Sequence, residues 1–503
     1  MYDMGSILTK RVELNPDRLA LVFKEQRLTY RALNSRVNKL AQAWAERKIK
    51  KGDRVAVLLM NSSQFLECYF AAAKLGAILY PVNFRLAGPE ILYQVHDCTP
   101  KLIVVGAQFQ ALVAGIKKEM KSVRHCLLVG GEAEGFLNYE AALASGQDRE
   151  PGAAIKDQDP FIIMYSSGTT GRPKGATLTH ENNLWNSING IIDFGIRADD
   201  ITLVSAPLFH VGALNILTIP HLHLGATAVI QEAFNPKEAL ELIQKERVTN
   251  LFAVPTMFNF MLQVPGLENY NLKSLRFLVS GGSPCPIPII EGFSRFGVTF
   301  MQGYGMTETS PSALLLRAED AVRKAGSVGK PFVHVEVKVV NDRKQRVKPG
   351  EVGEVLIRGK SVMKGYWKNP PATAAAIKDG WMHSGDLARV DEEGYLYIVD
   401  RKKDMIISGG ENIYPAEVEQ VLSQHPEVLE AAVIGVPDAK WGESVLALIV
   451  AKPGASPSAE SLLEHCRRNL ARYKCPRRAE LVKELPRTPA GKVLKRVLRE
   501  KYQ

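Results

Sequence analysis

Apolar positions in the first third of the chain switch between two periods. Leu33, Val37, Leu40, Ala41 and Trp44 recur at helical spacing, Arg54 to Met60 is a β-rich run after the turn at Lys51, Gly52 and Asp53, Ser62 to Leu75 is again helical, and Ala77 to Val82 reads as a second short strand. This alternation predicts βαβ units around a buried, largely parallel sheet. It continues through Ile201 to Ser205, a helix over Pro236 to Arg247, and the runs Asn250 to Val254 and Leu275 to Val279. From about Gly326 the texture changes to short alternating strands, VEVKVV and GEVLIRG, separated by the turn-rich Asp342 to Lys348. A second change follows the charged cluster Arg401 to Asp404. Beyond it come a helix at Pro415 to Ser423, strands at Val428 to Val436 and Val445 to Ala451, a helix at Ser458 to Ala471 and a basic tail. The expected fold class is α/β. A large N-terminal domain, 1–400, holds mostly parallel sheets flanked by helices and a β-rich subdomain over about 326–400; a small, mobile α+β domain, 401–503, follows the charged linker.

A chain of 503 residues exceeds one ordinary core, and 46% apolar with 23% charged residues sets aside disordered, collagen-like and coiled-coil classes. The net charge of +11 is local: from Arg467 to Gln503 there are 13 Lys or Arg against three acids, +10 of the total. Such a segment suits phosphate-rich ligands or a peripheral contact with an anionic membrane. Nucleic acid is not an expected partner, because no recognition module accompanies the charge. Six cysteines without a CxxC pair suggest neither a disulfide scaffold nor a zinc site. His221 and His223 alternate around an apolar stretch and are not read as metal ligands. The start MYDMGSILTKRVEL lacks a signal-peptide core, no apolar run reaches about 18 residues, and the end EKYQ is not a peroxisomal signal, so a cytoplasmic protein is expected, with the membrane surface as an alternative site. The sequence sets no oligomeric state; a dimer is compatible with it.

The most informative stretch is Phe161 to Gly175, FIIMYSSGTTGRPKG. A strand runs into a loop whose glycines let backbone N–H groups approach closely, whose hydroxyls (Ser166, Ser167, Thr169, Thr170) donate, and whose Lys174 supplies charge, which is the equipment for holding phosphate oxygens. It is not a Walker A loop: the residue five after Gly168 is Pro173, and Ala176 to Thr179 resumes extended texture instead of a helix. Alone, such a loop can also be a plain Gly/Thr turn.

Seven motifs in order make the chain resemble the adenylate-forming enzymes, which include acyl-CoA synthetases, coumarate-CoA ligases, luciferases and peptide-synthetase adenylation domains. They are the loop above with Gly281 to Pro284 (GGSP), Gln302 to Thr309 (QGYGMTET), Trp381 to Asp386 (WMHSGD), Asp400 to Asp404 (DRKKD), Ser408 to Asn412 (SGGEN) and Pro486 to Lys492 (PRTPAGK). The resemblance implies an ATP site made by Ser166, Ser167, Gly168, Thr169, Thr170, Lys174, Gly282, Ser283, Gly303, Tyr304, Gly305, Met306, Thr307, Asp386, Arg401 and Lys492. In it Tyr304 lies against adenine, Thr307 bonds the α-phosphate, Glu308 holds Mg²⁺, Asp386 accepts from the ribose hydroxyls and Arg401 lies nearby. Out of context Tyr304 would be a packing residue, Asp386 an Asx turn, Arg401 a solvated charge and Lys492 an exposed lysine. Lys492, Thr307 and Glu308 are the implied catalytic groups, with Lys492 meeting the charge of carboxylate and α-phosphate as they approach. Lys403 is the implied hinge, and Ser408, Gly409 and Gly410 line a pantetheine tunnel. Arg472 and Lys474 are candidates for the CoA phosphates.

The implied activity is ligation of a monocarboxylic acid, of medium to long fatty chain, to coenzyme A through an acyl-adenylate, with ATP, Mg²⁺ and CoA. An aryl acid–CoA ligase of coumarate, ferulate or benzoate type is the alternative; a luciferase-like oxygenase and a nonenzymatic nucleotide-binding protein stand behind it. By the same resemblance His210, Gly212, Leu214, Met257, Gly281 and Gly305 form the acyl pocket. None of the segments around them offers an Arg or Lys to a second carboxylate, which argues against malonate-like acids. Leu214 stands where some long-chain members carry an aromatic gate. The chain ends eleven residues after Lys492, so no fused carrier domain is expected.

Overall fold

The stripe at Leu33, Val37, Leu40, Ala41 and Trp44 folds as the helix Tyr30–Glu46 with all five side chains fully buried. Thr29 starts it, its hydroxyl accepting from the Ala32 N–H at 3.2 Å, one of the donors a helix leaves unpaired in its first turn. The computed structural model describes residues 3–166, 173–283, 285–408, 411–439, 441–470, 472–487 and 493–502. The chain divides into two compact units, residues 1–337 with 357–382, and residues 338–356 with 383–503.

Two sheets build the first unit among its described residues. In the nine-stranded sheet the spatial order is Lys330–Pro331, Ser312–Leu316, Thr299–Gly305, Phe277–Ser280, Asn250–Ala253, Ile201–Val204, Thr227–Ile230, Leu19–Phe23 and Gln26–Thr29. Its inner strands, from Thr299–Gly305 to Leu19–Phe23, all run parallel. In the eight-stranded sheet Ile78–Pro81, Arg54–Leu58, Leu102–Gly106 and His125–Val129 are parallel neighbours. Pro160–Ser166 joins them in parallel and pairs on its other side with antiparallel Lys174–Thr179, followed by Gly365–Tyr366. Parallel strands are covered on both faces, which is why Val55 to Leu58 are all fully buried and read as an unbroken apolar run. Because the inner strands of the nine-stranded sheet point one way, the loops after Val204, Ala253, Ser280 and Gly305 leave from the same edge, where open α/β sheets hold ligands.

The second unit contains a small sheet of Glu411–Ile413, Ile406–Ser408, Gly442–Ala451 and Val428–Asp438, with Arg478–Leu481 parallel to Gly442–Ala451. Val445, Ala447 and Ile449 face a cluster with Val418, Leu422, Leu462 and Cys466, while Leu446 and Leu448 face one with Leu485 and Leu498. Both long strands outrun the apolar pattern, pairing from Val428 opposite Ala451 to Asp438 opposite Gly442, because the hydrogen-bond ladder continues past the last buried side chain. The helix expected over Ser458 to Ala471 is Ala459–Asn469: Leu470 is extended (φ −130°, ψ 152°) and packs against the cluster around Cys466, and burying it ends the helix. The β-rich stretch is also present, as Glu336–Val340, Val352–Arg358, Trp381–Val390 and Leu396–Arg401.

Candidate active site

Strand Thr299–Gly305 delivers Gly303, Tyr304 and Gly305, and the tight turn Thr307–Thr309 follows. A Cβ on Gly305 would sit 1.6 Å from Pro311 O, so only glycine fits there. The Pro311 carbonyl is in place because it accepts from Met306 N–H (3.1 Å) and from the Thr309 hydroxyl (2.7 Å). Gly303 differs: a Cβ would find nothing nearer than Ser280 O at 3.9 Å, so its missing side chain leaves space beside the half-buried Tyr304. Thr307 is half-buried and Glu308 only 6% exposed.

Two hydroxyls converge on the Glu308 carboxylate. Tyr366 Oη donates to Oε1 at 2.9 Å and Ser166 Oγ donates to the same oxygen at 3.1 Å. Ser166 and Lys174 are a register pair at the ends of the loop expected to hold phosphate, and Lys174 Nζ lies 5.3 Å from the Tyr366 ring centroid. Among the described residues no Lys or Arg pairs with Glu308, its partners being the two hydroxyls, and no group of three or more His, Cys, Asp or Glu is placed to hold a metal ion. A buried carboxylate served by neutral donors, close to a phosphate loop, fits a hard cation that takes one protein carboxylate and fills its shell from phosphates and water. Ser167, Gly168, Thr169, Thr170 and Lys492 lie outside the described residues.

The residues expected around the acyl group come from neighbouring strand ends. His210 is exposed, its Nδ1 accepting from Gly212 N–H at 3.1 Å, so it caps a short helical turn instead of packing in the core. Leu214 and Met257 are buried, Gly281 closes strand Phe277–Ser280, and Gly282 (φ +85°) with exposed Ser283 forms the bend after it. Sequence reasoning missed Phe252. Its ring edge lies 3.1 Å from where a Cβ would stand on Gly212 and again 3.1 Å from one on Gly281, so one buried ring occupies the gap between both glycines. Tyr366 was missed as well. Neither sits in a motif whose spacing points to the site.

In the second unit Asp386 lies opposite Arg401 across two antiparallel strands, with Arg401 Nε 3.2 Å from Asp386 Oδ1. Asp400 is buried, accepting from Arg401 N–H (2.6 Å) and from Ala416 N–H (2.8 Å) in the first turn of Pro415–Ser423; burial pushes its carboxyl up, against the pull of Lys495. Lys403 is pushed down, first by desolvation and then by the charges of Arg401 and Arg499. Helix Lys495–Tyr502 is tied to this segment by Arg499 to Asp404 (2.8 Å) and to the neighbouring helix by Lys495 to Glu419 (2.8 Å). Ser408 ends strand Ile406–Ser408; Gly409 and Gly410 lie outside the described residues. Arg472 is exposed, whereas Lys474 is held by Glu417 at 2.7 Å. Much of the basic tail is paired in the same way, Arg467 with Glu460, Arg468 with Glu464 and Arg487 with Glu430. His221 and His223 are core hydrogen-bonding groups: His221 Nδ1 donates to Leu217 O at 2.7 Å while Nε2 accepts from Asn250, and His223 Nδ1 bonds Ser187 Oγ at 2.9 Å. No helix of the described residues is long and apolar enough to cross a membrane.

Residues 8–367 match the family described as AMP-binding enzyme, and residues 417–492 match the AMP-binding enzyme C-terminal domain. The chain is 40% identical over 499 residues to a feruloyl-CoA synthase of an Amycolatopsis species, covering 99% of each. It is 38% identical over 507 residues to the long-chain-fatty-acid–CoA ligase FadD13 of Mycobacterium tuberculosis, covering 100% of this chain and 99% of the relative. Among solved structures, the o-succinylbenzoate coenzyme A synthetase (MenE) of Bacillus subtilis in complex with ATP and magnesium ion is similar at a TM-score of 0.88 and 32% identity, over 99% of this chain and 98% of that one.

Proposed function

The chain belongs to the AMP-binding enzyme family, and from that membership we propose that it joins a monocarboxylic acid with an apolar body to coenzyme A, using ATP. It is an acyl-CoA synthetase, an AMP-forming acid–thiol ligase. In the first step a carboxylate oxygen of the acid bonds to the α-phosphorus and pyrophosphate leaves with the electron pair of the broken P–O bond. In the second the CoA sulfur bonds to the acyl carbon, its proton goes to solvent, and AMP leaves with the electron pair of the acyl C–O bond. No side chain is acylated. Two anions must meet in the first step, so the residues to look for are cations and oriented donors. Thr307 donates to the α-phosphate, Lys174 with the loop before it holds the β- and γ-phosphates, and Lys492 bridges the carboxylate and phosphate oxygens. Asp386, as an acceptor-only group, and Arg401 serve the ribose, and Tyr304 stacks on the base. Glu308 would hold Mg²⁺, which when bound would supply positive charge against the charge on the phosphates.

The observation that carries this reading is Glu308, buried, without a cationic partner among the described residues, and oriented by hydroxyls beside the phosphate loop. The test is acid-dependent ATP–pyrophosphate exchange together with CoA-dependent AMP release. Lys492→Ala should lose the exchange yet still convert supplied acyl-adenylate to thioester, and Gly409→Leu should do the reverse; equal loss of both steps in Lys492→Ala contradicts the role given to it.

Fatty and aryl acids both have relatives in this family, and one feature favours the aryl acid. The Phe252 ring fills the gap between Gly212 and Gly281, and a ring standing there would shorten the acyl site and suit a flat, short body. A panel of octanoate, palmitate, benzoate and ferulate scored by AMP release decides between them; faster turnover of palmitate than of ferulate overturns this choice.

A further inference from the structure

We infer that Tyr366 is a positioning residue for the magnesium ligand: its hydroxyl and that of Ser166 hold one oxygen of Glu308 so that the other is presented to the cation. The inference rests on the reading of Glu308 as that ligand. Both donors reach Oε1, at 2.9 and 3.1 Å. A carboxylate offers acceptor sites on two oxygens. With Oε1 occupied by two neutral donors and no partner on Oε2 among the described residues, Oε2 is the oxygen left to meet a cation.

Tyr366 is itself tightly fixed. Its N–H donates to the Thr373 hydroxyl at 2.9 Å, and Gly365 before it has φ +147°, where a Cβ would strike Thr373 Cγ2 at 2.6 Å. The edge strand Gly365–Tyr366 pairs with Lys174–Thr179, and Trp367 N–H bonds Gly175 O at 2.7 Å. The Met363 N–H donates to the backbone carbonyl of Glu308 at 2.8 Å, so one segment, residues 363–367, holds both the main chain and the side chain of the glutamate. Lys174 above the ring links the same tyrosine to the phosphate loop. Ser166, assigned to the nucleotide by resemblance, thereby acts through Glu308.

The experiment measures Mn²⁺ binding by electron paramagnetic resonance to the enzyme with a nonhydrolysable ATP analogue, for the parent, Tyr366→Phe, Ser166→Ala and Glu308→Gln. Tyr366→Phe keeps the ring under Lys174 and removes only the hydroxyl. A hydrogen bond to a charged acceptor is worth roughly 10- to 100-fold, so Mn²⁺ should bind roughly 10- to 100-fold more weakly, with analogue affinity in EDTA unchanged and the Mg²⁺ half-saturation of pyrophosphate exchange raised in parallel. Ser166→Ala should shift the same quantities in the same direction, and it serves as the second variant if the first does not fold. Parent-like Mn²⁺ affinity in both hydroxyl variants, with Glu308→Gln impaired, overturns the role of Tyr366 and leaves Glu308 as the ligand. Parent-like affinity in Glu308→Gln overturns the underlying assignment instead.

Discussion

Replacing Phe252 by alanine tests the proposal that its ring forms the floor of the acyl site. The side chain is 8% exposed, and its ring edge stands 3.1 Å from the Cβ positions of both Gly212 and Gly281. Core Phe→Ala changes cost about 3–5 kcal/mol; a site open to ligand on one side falls at the low end, about 3 kcal/mol, which a domain with about 5–15 kcal/mol in hand survives. The vacated space admits further methylenes of a substrate. One methylene in an apolar pocket is worth about 1–3 kcal/mol, so the kcat/KM ratio of octanoate to benzoate should rise about tenfold or more in Phe252→Ala. Gly281→Ala probes the same contact from the other side, since its methyl meets Phe252 Cε2 at 3.1 Å. In the parent it should push the ring and reduce activity; in the Phe252→Ala background it should be better tolerated, with a coupling of about 0.5–3 kcal/mol, as for residues in contact. Initial rates of AMP release across the four proteins, with urea unfolding alongside, give all of these quantities. An unchanged substrate ratio together with additive single effects would refute the claim that Phe252 shapes the floor.

Gly305→Ala must displace the Pro311 carbonyl, the acceptor of both Met306 N–H and the Thr309 hydroxyl. Two hydrogen bonds at about 1 kcal/mol each and about 1–3 kcal/mol of overpacking predict a loss of about 3–5 kcal/mol in urea unfolding, and a variant as stable as the parent contradicts the close approach. Burial pushes His221 and His223 down to about 4 from an ordinary 6.5. The unfolded chain then binds more protons between those values, so their contribution is complete above the ordinary value and lost as pH falls toward 4, by up to about 3 kcal/mol per histidine. Urea midpoints from pH 7.5 to 4.5 should show this slope and His223→Gln should flatten it; a parent without the slope refutes the assignment. Arg499→Ala breaks a pair whose side chains are 22% and 12% exposed, and should cost about 1 kcal/mol, a loss absent when Asp404→Asn is already present; additive losses in that double variant show that the pair does not couple.

The alternation of periods sufficed for the elements it was read over, because a residue pattern reports which face of an element is buried; Val55 to Leu58 and the stripe from Leu33 to Trp44 are direct instances, while elements such as Leu102–Gly106 and His180–Asp193 were not read from it. The order of Gly- and hydroxyl-rich motifs likewise identified the nucleotide chemistry, and Gly305 belongs to the sequence for a local reason, since only hydrogen fits against Pro311. Helix and strand ends were less legible, as at Leu470, where a tertiary contact ended a helix whose propensity continued. What only the tertiary structure decided is which side chains meet. Tyr366 reaches Glu308 across 58 residues and Ser166 reaches it across 142, while Phe252 comes between two glycines borne on other loops. Periodicity encodes that a face is covered but not by what. The partner is set by strand order and register in the sheets, which are non-local pairings that leave no spacing in the chain.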